Sequence, residues 1–177
     1  MVIQENRIVE ISYELRDSDA DGELLERMDV NYPFKFFFGG GKMLPAFEDR
    51  LRGLEEGASF TFRLDPKEAY GPRHPGNILK IARDAFRHAP NSVVKGNYIS
   101  LTDDGGETHQ GKILDFDEAT VEVDFNHAMA GKTLFFQGTV LHVRPATADE
   151  LIRKHYIEAD GLRRPDFGES PSNLNLP

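Results

Sequence analysis

The chain has 177 residues, 39% of them hydrophobic and 29% charged, with a formal net charge of -9 and no cysteine. That length suffices for one large domain or two small ones with a real core. The composition excludes disulfides, thiol nucleophiles and Cys-based metal sites, and the acidic balance argues against nucleic acid as the main partner, because phosphate binding needs clustered Lys and Arg. No stretch approaches the ~20 apolar residues that span a bilayer. The N-terminus has no continuous apolar run of the signal-peptide kind. The expectation is a soluble, cytoplasmic monomer without a membrane partner.

Val9, Ile11, Tyr13 and Leu15 alternate with Glu10, Ser12, Glu14 and Arg16, the period of a half-buried strand. A polar turn, DSDADG, leads to a short segment around Leu24 and Leu25. The run from Pro33 to Phe38 is a strand so apolar that something must cover it. Gly39, Gly40 and Gly41 then let backbone approach whatever does, a ligand included. Pro45 suits the first turn of a short helix, Phe47 and Leu51 share one face of it, and Gly53 can end it. Ordinary core packing is the competing reading of this stretch. Phe60, Phe62 and Leu64 alternate with Thr61 and Arg63 in another strand, closed by Asp65-Pro66.

Turn-forming residues crowd into Tyr70-Gly71-Pro72-Arg73-His74-Pro75-Gly76, which marks a domain boundary. Beyond it lie an apolar patch (Ile78, Leu79, Ile81) and a brief turn at Asp84 to Phe86. Three short strands follow near Asn97–Leu101, Gly111–Phe116 and Thr120–Asp124, with a hairpin turn at Asp103-Asp104-Gly105-Gly106. Residues 75–125 therefore read as a small antiparallel module inserted between two parts of a main domain, 1–74 and 126–148. Thr133 to Val143 is one long strand. Thr147, with Glu150 three residues on, forms a capping box for a helix whose apolar face is Leu151, Ile152, His155 and Tyr156. The tail after Gly161 is polar and proline-rich, loose or draped over the surface.

Most chemical motifs fail on inspection. Asp17-Ser18-Asp19-Ala20-Asp21-Gly22 imitates an EF-hand loop, but its last position is Met28 where a bidentate glutamate is required. It reads better as a solvated hairpin turn. Gly39-Gly40-Gly41-Lys42 has the wrong spacing for a phosphate loop, and Met43 replaces the magnesium-binding hydroxyl. The His residues stand singly, with no metal spacing. His127, where the module rejoins the main domain, reads as a structural hydrogen bond in preference to a functional group. No Ser-His-Asp or paired-carboxylate pattern emerges, and no metal or cofactor is expected. What remains is a set of aromatics distributed over one sheet and helix: Tyr13, Phe36, Phe47, Tyr70 and Phe136.

Together the segments resemble the FKBP-type peptidyl-prolyl cis/trans isomerases, in the two-domain subgroup typified by the SlyD proteins. The residues that carry the resemblance are Pro33-Phe34-Lys35-Phe36 with Phe38-Gly39, and Met43-Leu44-Pro45-Ala46-Phe47-Glu48. Asp65-Pro66-Lys67-Glu68-Ala69-Tyr70-Gly71, Asn126-His127 with Ala130-Gly131, and Leu134-Phe135-Phe136 complete it. The resemblance implies an α+β, mostly β fold: a twisted antiparallel sheet around a short helix, with an inserted β domain in the flap after Tyr70-Gly71. It implies an isomerase, or alternatively a binding-only chaperone on a catalytically weak scaffold, whose inserted domain binds unfolded polypeptides. Carried over by position, Tyr70, Phe136, Tyr13 and Glu26 would be catalytic, and Phe36, Met43, Leu44, Phe47 and Phe135 would contact substrate. In the inserted domain Ile78, Leu79, Ile81, Phe86, Val93, Val94 and Ile99 would either catch clients or form the module's own core. Glu26 stands where the family usually has aspartate, Phe47 where it often has Trp, and the His- and Cys-rich nickel-binding tail of the namesake proteins is missing.

Overall fold

The computed structural model describes residues 1–88 and 90–158 and divides into two compact units, residues 1–69 with 132 onward, and Tyr70–Gly131. The polar tail anticipated after Gly161 lies outside the described residues.

In the first unit the alternating segment becomes a long strand, β1 (Arg7–Asp17), that organises the sheet. Along one edge it pairs antiparallel with β3 (Phe34–Phe38) over its first half and with β2 (Leu24–Met28) over its second. Its whole other edge pairs with β9 (Leu134–Pro145), which carries β4 (Ser59–Leu64) on its far side. Among the described residues this makes five antiparallel strands. Helix α1 (Pro45–Leu51) has Pro at its start and buries Phe47, Glu48 and Leu51. Gly53 follows with φ +81°, the left-handed value a residue without Cβ accepts freely. Val9, Ile11, Tyr13 and Leu15 are all buried, as their alternation requires.

Helix α2 (Ala148–Arg153) has the expected capping box between Thr147 and Glu150. Its apolar face is a correction. Leu151 and Ile152 are exposed, Ile152 at 79%, while His155 and Tyr156 lie past Lys154, where the helix ends in a left-handed residue. The helix is held instead by the buried Glu150, which accepts two 2.8 Å hydrogen bonds from the Arg144 guanidinium and the N–H groups of Thr147 and Ile157. Burial alone would raise this carboxyl, but those donors prevail and bring its pKa down to about 2.

The second unit is a four-stranded antiparallel sheet in the order β5 (Ile78–Ala82), β8 (Thr120–Asp124), β7 (Thr108–Phe116), β6 (Tyr98–Thr102). The Ile78–Ile81 patch is thus a strand. Asp103 caps the β6–β7 hairpin by accepting the N–H groups of Gly105 and Glu107, with Gly106 at φ +85°. The unit extends from Tyr70 to Gly131, where the sequence suggested 75–125. Side chains at its base account for the difference. Asn126 Oδ1 accepts the His74 N–H and its Nδ2 donates to the His74 carbonyl, Arg73 pairs with Asp124, and the Gly131 N–H donates to Gly71. The entering and leaving segments are therefore stitched into the module.

Candidate active site

The antiparallel register lines up one row of side chains across the first unit. Phe62 on β4 faces Phe136 on β9, which faces Leu15 on β1, which faces Glu26 on β2. The neighbouring row is Phe60, Gly138, Tyr13 and Met28. Opposed side chains on one face of a sheet interact directly, so each row is a contact ladder. Gly138 is required in the second: a Cβ there would come within 2.7 Å of the Phe60 ring and 2.1 Å of the Ser12 carbonyl. The space it vacates is filled by the aromatic neighbour.

Phe47 of α1 is the hub of the cluster. Its ring centroid lies 5.1 Å from Phe136, 5.8 Å from Phe62 and 5.9 Å from Phe36. Tyr13 meets Phe136 at 5.8 Å and the edge of Phe34 at 6.0 Å. These are separations at which aromatic pairs attract beyond the area they bury. Phe36, Phe47, Phe136 and Tyr13 are buried, whereas Phe62 keeps part of its surface in solvent, so the cluster reaches the surface there.

Of the residues anticipated from sequence, Tyr13, Phe36, Phe47 and Phe136 are thus brought together. Met43 is buried beside α1, and the Leu44 carbonyl begins the helix by accepting the N–H groups of Phe47 and Glu48. Glu26 follows Tyr13 diagonally on β2. Burial raises its pKa, and the nearby Tyr13 phenol only partly offsets that. Phe135 is not in the cluster. It sits next to Phe136 in a strand, where successive side chains take opposite faces, and carries the Arg63 guanidinium 5.7 Å from its ring. Tyr70 belongs to the second unit, where its ring stacks on His127 at 4.0 Å and 5°. His127 Nδ1 accepts the Met129 N–H, the structural bond its position suggested. Phe62 was missed, although its alternation with Phe60 and Leu64 marked it as facing the same side as they do.

In the second unit Phe86, Val93 and Ile99 are buried with Ile113, Val121 and Val123, and Ile81 packs against them. Phe86, Val93 and Ile99 therefore lie in the module's own core, one of the two readings their composition left open. Ile78 is half-buried, and Leu79 is 49% exposed.

A cavity of about 550 Å³ also opens on the first unit, lined mainly by polar groups such as Ser12, Glu14, Thr61, Gln137 and Thr139. Phe36, Phe47 and Phe136 do not line it, whereas Tyr13, Met28, Val30 and Phe60 do, so the second of the two rows forms one of its walls.

An antiparallel sheet whose aromatic rows close over a short helix defines a class, and sequence comparison agrees with it. Residues 2–87 match the family described as FKBP-type peptidyl-prolyl cis-trans isomerase. The chain is 34% identical over 151 residues to the FKBP-type peptidyl-prolyl cis-trans isomerase SlyD of Treponema pallidum, covering 85% of this chain and 84% of that protein. It is 32% identical over 161 residues to the SlyD protein of Pasteurella multocida (91% and 79% covered). It is also 32% identical over 142 residues to a probable FKBP-type 16 kDa peptidyl-prolyl cis-trans isomerase of Pseudomonas fluorescens (80% and 92% covered). The chain belongs to the FKBP-type peptidyl-prolyl cis-trans isomerases, and its likeness is to the SlyD proteins of that family.

Proposed function

We propose that the family's reaction, rotation about Xaa-Pro bonds of polypeptides, takes place in this chain against the Phe36–Phe47–Phe136 rings, entered beside Phe62. The observation that supports this reading is the convergence of three rings from three strands, Phe36, Phe62 and Phe136, on one hub in the helix, Phe47. Peptide-bond rotation has a barrier of ~18–20 kcal/mol because it breaks amide resonance. The twisted amide has lost much of its charge separation and is less dipolar than the planar form. A dry aromatic surface disfavours the planar amide relative to the twisted one, which is differential binding of the transition state. No bond to the protein forms, so no nucleophile is needed.

In this reading the pyrrolidine enters at Phe62, the ring that keeps part of its surface in solvent, the buried Phe36, Phe47 and Phe136 rings and Met43 form the dry wall behind it, and the Leu44 N–H donates to a substrate carbonyl. Tyr13 and Glu26 shape the wall. Tyr70, which lies in the second unit, is not assigned to this ring site. Phe135, on the opposite face, is left out.

The second unit is proposed to bind unfolded chains before their prolines are processed. Leu79, Val94 and Tyr98 are exposed apolar side chains on a small unit and support this role. The substrates proposed are unfolded, proline-containing polypeptides in the cytoplasm. Such catalysis has value because uncatalysed isomerisation takes tens to hundreds of seconds.

An Xaa-Pro peptide isomerisation assay tests the site. Phe136→Leu keeps an apolar side chain and removes the ring, and is expected to lower kcat/KM at least tenfold in a folded protein. Unchanged turnover in that variant rejects the ring site. Suppression of aggregation by the wild-type chain with no signal in the proline assay would leave the binding-only scaffold in its place.

A further inference from the structure

The segment 39–44 between β3 and α1 carries Met43 and Leu44, yet it has no regular structure of its own. It leaves the strand through Gly39 at φ +82° and bends again at Gly41 at φ +71°. Glu48, in the first turn of α1, is joined to both ends of it. Its backbone N–H donates to the Leu44 carbonyl at 3.1 Å, and its side-chain Oε1 accepts the Gly39 N–H at 2.9 Å. The residue is only 8% exposed, and burial raises its pKa against the opposing effect of the Gly39 N–H. Burying a carboxyl is unfavourable unless hydrogen bonds compensate, so this one is held in place by the N–H it accepts.

The far side of Gly39 faces a second carboxyl. A Cβ there would fall 1.6 Å from Glu5 Oε2. Arg52 donates to Glu5 Oε1 at 2.8 Å while its guanidinium lies 4.9 Å from the centre of the Phe38 ring. The charged groups around Glu48 are Glu5 from the N-terminal segment and Asp49 and Arg52 from its own helix. The turn is thus bonded to the buried carboxyl of Glu48, and the exposed carboxyl of Glu5 fills the space beside Gly39.

We propose that Glu48 is a positioning residue for the isomerase reaction: by closing the 39–44 segment on itself it fixes the Leu44 N–H relative to the Phe47 ring. This rests on the ring-site reading above, with Leu44 as a donor to substrate. Misplacement of a donor by about 1 Å is enough to cost much of its effect. A contact made equally to the planar and twisted forms of the substrate appears in KM and not in kcat.

The test is a kinetic series on an Xaa-Pro peptide with Glu48→Gln, Glu48→Asp and Glu48→Ala. Gln keeps the acceptor oxygen at the same reach, so KM should stay within about twofold of wild type. Asp withdraws the acceptor by one methylene and Ala removes it, and KM should rise about tenfold with kcat little changed. Amide hydrogen exchange at Gly39 should quicken in the same two variants. If Glu48→Ala does not fold, the Asp and Gln variants decide the matter between them. A Glu48→Asp protein with wild-type KM, or a Glu48→Gln protein as impaired as the Asp variant, overturns the proposal. Phe136→Leu measured in parallel separates the two claims. Lost activity there beside a wild-type KM in Glu48→Asp removes the positioning role alone, and full activity there removes the ring site beneath it.

Discussion

The two units build their cores from different materials. The first has strands as long as the 12 residues of β9 and closes them over α1 with Phe34, Phe36, Phe47, Phe60, Phe62 and Phe136. The second relies mainly on Ile99, Ile113, Val121 and Val123, with Phe86 and Val93 laid across them, and three of its four strands have 5 residues. A large sheet can bury its rings almost completely and offer them only where Phe62 reaches solvent. A sheet of short strands cannot cover everything apolar that it carries, and Leu79, Val94, Tyr98 and Phe116 remain exposed.

The contrast can be broken by mutation, and the largest effect is expected in the ring cluster. Phe136 is fully buried and touches Tyr13, Phe47 and Phe62. Phe136→Ala should destabilise the first unit by about 3–5 kcal/mol, read from denaturant unfolding. Less than 1 kcal/mol would mean that the rings are not a packed unit. Ile113→Ala, at a fully buried position of the second core, should cost about 2–4 kcal/mol. Its effect should appear in hydrogen exchange of β5 to β8 while β1 and β9 keep their protection. Equal loss in both units would show one cooperative structure in place of two.

A third prediction concerns pH. Glu150 titrates at about 2 in the fold against an ordinary 4.5. A depressed carboxyl stabilises the folded state above its unfolded pKa, and that contribution disappears as pH falls from about 4.5 to about 2. A shift of this size corresponds to roughly 3 kcal/mol. The acid-induced loss of stability should therefore shrink in Glu150→Gln. An acid limb identical in the two proteins would rule out the Arg144–Glu150 bridge as its source. The smallest effect is expected from Leu79→Ser. Stability should change by no more than about 0.5 kcal/mol at so exposed a position. Affinity for a permanently unfolded, alkylated protein should fall severalfold in fluorescence anisotropy, and unaltered affinity would remove Leu79 from the client surface.

Much of this architecture was legible in the residues. The alternation of Val9 to Leu15, Pro45 at a helix start, the Asp103–Gly106 turn and the Thr147–Glu150 capping box all act within a few neighbouring residues, and all appear in the structure. The errors arose where local pattern and tertiary environment disagree. Leu151 and Ile152 look like a buried helix face, yet the ion pair of buried Glu150 with half-buried Arg144 anchors that helix and leaves both exposed. Phe86, Val93 and Ile99 could not be told from a surface patch, because core and patch share one composition. Phe135 and Phe136 came as a pair, and only the strand geometry separates their faces.

The order of apolar and polar residues along the chain marked most of the strands, both helices and a separate middle module, because period and turn chemistry are properties of neighbours, while the family came from the resemblance of particular residue motifs. Which rings meet, that Phe62 joins them, and that Glu48 closes the turn ahead of Leu44 were decided only by the pairing of β4, β9 and β1 and the seating of α1. Those contacts join residues far apart in sequence, and their distances are fixed by register and packing, which no local pattern encodes.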